Sequence, residues 1–166
     1  MCKKFYLILT ALVCLAVGIN TFAQSAVGTS SATLVTPITL ANSQDLQFGR
    51  LSRGATLGTV VITPAGVRSA TGGVTLIIPS SVQTQAIFTA TGQPSTTYAI
   101  TLPVSATITS GANTMTVNTF TSNPSGTGTL AAGGTQVINV GGTLNVSATQ
   151  ASGAYTGTFT VTVAYN

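Results

Sequence analysis

From Gln24 to the last residue the chain carries four charged side chains: Asp45, Arg50, Arg53 and Arg68. Asp45 is the only acid in the whole chain, and there is no histidine. Catalysis needs a proton-transfer group of suitable pKa, or a nucleophile with a base beside it. Without histidine a Ser–His pair and a His-ligated metal are both excluded, and with one acid so is a carboxylate pair. Residues 24–166 also lack lysine and cysteine, which removes a Ser–Lys pair and a thiolate. Asp45 beside a serine or threonine is the one arrangement left. Its plainer reading is an aspartate at a strand start, paired at the surface with Arg50 or Arg53 for about 0–1 kcal/mol. The composition points to a non-enzymatic protein, with no catalytic residue, cofactor or metal site expected.

The glycine-rich stretches do not cradle phosphate, because none fits the G-x-x-x-x-G-K pattern or opens a helix. Three arginines are too few for the basic footprint that neutralises a run of phosphates, so no nucleic acid is expected as a partner. Asn145-Val146-Ser147 fits the glycosylation triplet but falls in the middle of a strand pattern.

The N-terminus has the three parts of a secretory leader. Lys3 and Lys4 give a positive start, Phe5 to Val17 is apolar, and Thr21-Phe22-Ala23 places small residues at a cleavage site. The apolar run falls short of the ~20 residues a spanning helix needs. A signal peptide over residues 1–23 is therefore expected, with export to the periplasm, cell surface or exterior of a Gram-negative bacterium. Val13 before Cys14 does not fit a lipobox. Cys2 and Cys14 both leave with the leader, so the exported chain can form no disulfide, and it holds no stable membrane span.

The elements that must position any site are read from period two, which sends alternate side chains to opposite faces of a strand. Val60 and Ile62 alternate with Thr59, Val61 and Thr63; Tyr98, Ile100 and Leu102 with Ala99 and Thr101. Met115 and Val117 alternate with Thr114, Thr116 and Asn118; Leu144, Val146 and Ala148 with Asn145, Ser147 and Thr149. Threonine suits the outer face, since its branched Cβ favours extended backbone. Turn signals fall at Thr71-Gly72-Gly73, Gly92-Gln93-Pro94, Ser110-Gly111, Asn123-Pro124-Ser125-Gly126, Gly133-Gly134 and Gly141-Gly142. The last is expected to close a tight hairpin between residues 135–140 and 143–148. Together these predict one all-β antiparallel sandwich of about eight to ten strands over residues 32–166, preceded by a flexible extension over 24–31.

The strictest alternation ends the chain. Tyr155, Gly157, Phe159, Val161, Val163 and Tyr165 share one face, and Thr156, Thr158, Thr160, Thr162 and Ala164 the other. This strand is expected to be a core strand. The threonine row could suggest an ice-binding array, but the solvent face of an amphipathic strand accounts for it.

Gly153 stands fourteenth from the end and Tyr165 is penultimate. In this the chain resembles pilin subunits of the chaperone–usher pathway, which end in an alternating strand with a glycine and a penultimate aromatic at these places. The body of the chain resembles the domain of unknown function 4402 family, itself similar to spore-coat-U and Csu-type pilins. That resemblance runs through residues 45–49, 58–62, 88–92, 98–103, 140–144 and the C-terminal strand. A pilin resemblance implies an immunoglobulin-like sandwich lacking a strand, whose groove is filled by a periplasmic chaperone and then, through an outer-membrane usher, by the next subunit. It makes Gly153, Tyr155, Gly157, Phe159, Val161, Val163 and Tyr165 the assembly strand. Self-assembly into filaments would follow. Ala32, Leu34, Ile38 and Leu40 are the donor strand or simply the first strand of the domain, since period two fits both and Pro37 is tolerated only at an edge. The chain departs from the related pilins in having no disulfide. Two other readings stand beside this one: a stand-alone envelope or periplasmic binding module with a complete sandwich, and a small outer-membrane barrel.

Overall fold

A computed structural model describes residues 23–78 and 82–166. Residues 1–22 of the expected leader, with both cysteines, lie outside the described residues. The chain divides at Leu34/Val35. Up to Leu34 the described residues form no strand, and Ala32 and Leu34 are exposed. From Val35 on, the described residues hold ten strands and no helix, all paired antiparallel.

The strands are β1 (Thr39–Gln44), β2 (Leu51–Ile62), β3 (Arg68–Leu76), β4 (Ala86–Thr91), β5 (Thr97–Thr101), β6 (Ser105–Ser110), β7 (Asn113–Asn123), β8 (Thr127–Thr129), β9 (Thr135–Val146) and β10 (Thr162–Tyr165). The larger sheet runs β1-β4-β9-β2-β3, with β7 on the other edge of β9 and β6 beyond it; the smaller runs β10-β5-β8. Both sheets are open, so the described strands form a sandwich rather than a closed barrel. The expected alternation holds on β2, β5, β7 and β9, where Val60, Ile62, Tyr98, Ile100, Met115, Val117, Leu144 and Val146 are buried.

The glycine pairs do not all turn the chain. Gly141 and Gly142 lie inside continuous β9, and the expected hairpin does not form. The first half of β9 pairs with β4 and the second half with β2, on the same edge. Where the partner changes, a Cβ on Gly141 would strike the Ile62 carbonyl oxygen, so close backbone approach is what requires glycine there. Gly72 and Gly73 likewise lie within β3, opposite a bulge of β2 between Arg53 and Gly58.

Two apolar clusters result. One gathers Phe88, Tyr98, Ile100, Leu130, Ile138 and Val140 between β4, β9 and the smaller sheet. The other gathers Val60, Ile62, Met115, Val117 and Leu144 on the inner face of β2, β7 and β9, with Phe48 from the link between β1 and β2. The smaller sheet packs against the first cluster; none of its residues joins the second.

Candidate functional site

The C-terminal residues keep their predicted faces. Val161 is buried, Tyr155, Phe159, Val163 and Tyr165 are half-buried, and the intervening threonines are exposed. The pairing is more limited than a full core strand. Thr162–Tyr165 pairs with β5, Thr156 alone pairs with Thr109 of β6, and 157–161 pairs with no described strand. The facing segment of the same chain explains the gap. Between these two contacts it runs through 102–108, longer than the 157–161 it faces, and contains Pro103, which has no N–H to give.

This segment has an unused edge. The Thr156 N–H and C=O both bond Thr109, at 3.0 and 2.8 Å. Successive residues of an extended chain turn their backbone groups to opposite edges, so Tyr155 and Gly157 turn theirs away from β6. On β5 the Ile100 N–H goes to Gly126, leaving Ala99 and Thr101 to meet Ala164 and Thr162. Val163 and Tyr165 therefore also face outward, and no described strand pairs with that edge.

Beside this edge lies an open groove of about 1050 Å³. One wall is residues 45–53, the link from β1 to β2 together with the first three residues of β2; the other is residues 150–159. The floor is the second apolar cluster: Met115, Val117, Phe120, Leu144 and Val146. Floor side chains keep little surface in solvent, 8% for Met115 and 2% for Leu144.

Each boundary is fixed by particular residues. Tyr155 Oη donates to the Ala151 carbonyl at 2.8 Å and accepts from Gln150 Nε2 at 2.7 Å, which folds the start of the second wall. Gly157 passes so close to β6 that a Cβ would strike the Thr107 carbonyl oxygen. Phe159 closes one end, stacked on Phe120 at 4.9 Å and edge-on to Phe88 at 6.1 Å. Thr119 brings Phe120 there, with φ 49° at a bulge of β7 opposite Gly142. On the first wall Gln47 and Thr84 exchange backbone hydrogen bonds at 2.9 and 3.0 Å. Arg68 Nη1 holds the carbonyls of Phe48 at 3.0 Å and Arg50 at 3.4 Å. Arg53 Nη1 reaches the Ala148 carbonyl at 2.6 Å.

Asp45 follows β1 instead of starting a strand, and its carboxylate takes a bond from Asn42 Nδ2 at 3.2 Å. Among the described residues it pairs with neither Arg50 nor Arg53. Of the four apolar residues expected on a first or donor strand, Ile38 and Leu40 pack against the first cluster, with Leu40 in β1. Ala32 and Leu34 lie outside β1, and Leu34 is 100% exposed. Asp45, Arg50, Arg53 and the stretch 45–49 were singled out from the sequence, but not as one wall of a groove, and Phe120 was not singled out; the apolar run Leu46, Phe48, Leu51 was the available signal for the wall.

The described residues hold no cluster of His, Cys, Asp or Glu suited to a metal, and no helix long and apolar enough to cross a membrane. Fold and groove define an antiparallel β-sandwich with an open groove over its second apolar cluster. A family model for a domain of unknown function, DUF4402, matches residues 38–165. The chain belongs to that family. Comparisons with curated proteins and with solved structures give no match.

Proposed function

We propose that the chain is a non-enzymatic structural or adhesive subunit, exported by its leader, which joins a fimbria-like surface assembly by β-strand addition. The observation that carries this reading is the trough beside an unpaired edge. An extended strand laid there would bond to the outward groups of residues 155–159 and bury alternate side chains on the floor. Leaving such an edge open invites aggregation, so a periplasmic chaperone would fill it before assembly and an outer-membrane usher would exchange it for the next strand. Because donor and acceptor surfaces differ, the contact propagates head to tail without closing.

The test is size-exclusion chromatography of the exported chain released from the surface of cells that produce it, with boiled and unboiled denaturing gels. The reading expects a ladder of complexes, of this chain with itself or with other subunits, that collapses only on boiling. A well-folded monomer at every concentration would overturn it.

A second reading, a stand-alone envelope or periplasmic module, is favoured by the first apolar cluster, which β10 and β5 already cover. It expects that monomer.

A further inference from the structure

All four charged side chains of residues 24–166 gather at one side of the trough. Asp45, Arg50 and Arg53 line its first wall, and Arg68 holds that wall's carbonyls from behind. The rest of the trough is uncharged. Asp45 is engaged by Asn42, whereas no hydrogen bond from a described residue involves the Arg50 guanidinium. Arg53 uses Nη1 on Ala148 and is exposed. The wall thus presents an excess of positive charge beside an apolar floor.

We infer that the strand which enters the trough carries an acidic residue flanking its alternating apolar side chains, and that it comes from a different protein. This rests on the reading of the trough as a strand acceptor. An apolar floor selects for alternation alone and would take any strand with the right period. The two arginines add a requirement: a neutral strand gives neither an ionic partner, a basic strand meets like charge, and an acidic one meets its complement. A second copy of this chain fits poorly. Residues 24–40, the segment with donor-like spacing, contain no acid, and the chain's single acid is Asp45, already on the receiving wall.

The test uses the purified full chain and three synthetic peptides of about ten residues, a length of roughly 33 Å when extended. They share one alternating apolar and threonine pattern and differ in two flanking residues: Asp-Asp, Asn-Asn or Lys-Lys. Binding is read by fluorescence anisotropy at low and high salt. The acidic peptide is expected to bind about tenfold more tightly than the amide peptide, since each exposed pair contributes up to about fivefold. The basic peptide is expected to be weakest. The spread is expected to collapse near 1 M salt, where screening acts within about 3 Å. Arg50→Gln, at a side chain that holds no described bond, is expected to lower the acidic preference by about threefold to fivefold. Equal binding of acidic and amide peptides at low salt overturns the inference while leaving the strand-acceptor reading standing. Binding by none of the three, to a protein that remains folded, overturns both.

Discussion

The Tyr165 hydroxyl joins the two ends of the sandwich domain: it donates to the Thr36 carbonyl at 2.8 Å and accepts the Gln93 N–H at 2.6 Å. The C-terminal strand and the chain leading into β1 are therefore tied together at Tyr165. Farther from this tie, residues 45–53 and 150–159 stand apart as the two walls of the trough. Tyr165→Phe keeps the ring and removes both bonds. It is expected to cost about 1–2 kcal/mol, measured by denaturant unfolding, and to speed exchange of the Gln93 amide. Unchanged stability and exchange would mean that the tie does not hold these segments.

Phe159 makes contact with both apolar clusters through Phe88 and Phe120. Phe159→Ala is expected to destabilise the domain by about 3–5 kcal/mol, whereas Thr160→Ala, on the exposed face next to it, stays within about 0.5 kcal/mol. Similar losses at the two positions would show that the faces are misassigned.

Gly141→Val places a branched side chain against the Ile62 carbonyl, where the obstacle is backbone and cannot swing away. The expected loss is about 1–3 kcal/mol, with thermal unfolding as the check. A hairpin turn at this position would tolerate the change differently, since the clash comes from β2 running alongside continuous β9.

Burial raises the pKa of Tyr98 above 10.0, and its hydroxyl proton also bonds Gln136 Oε1 at 2.7 Å. Above pH 10 the unfolded chain loses this proton more readily than the folded one. Stability is therefore expected to be intact below pH 10 and to fall as pH rises through the raised folded value. Unfolding free energies at pH 9 and pH 11 check this. Tyr98→Phe should be less stable at pH 9, through the lost hydrogen bond, and should show a smaller decline toward pH 11. An equal decline in both would place the alkaline loss elsewhere.

Much of the sandwich was legible because alternation is a local property. Val60 and Ile62, or Met115 and Val117, announce their inner face without reference to a neighbour. Glycine is ambiguous in a way the sequence cannot resolve. Gly133-Gly134 does turn the chain between β8 and β9, while Gly141-Gly142 and Gly72-Gly73 serve close backbone approach within strands, and the two uses look alike until the partner strand is in place. The C-terminal face was readable for the same local reason as β2. Its broken pairing was not, because the cause is Pro103 on the facing chain. The trough depends on residues from β1–β2, β7, β9 and the C-terminus meeting in space, so only its individual apolar residues were visible beforehand.

The claim that the outward edge of residues 155–159 receives a strand is tested most directly by amide hydrogen exchange at Tyr155 and Gly157. Thr156, bonded to Thr109, serves as the internal reference. The account predicts rapid exchange at Tyr155 and Gly157 in the isolated subunit, slower exchange at Thr156, and protection of all three once assembled. Rapid exchange at Tyr155 and Gly157 that persists in the assembled protein would contradict it.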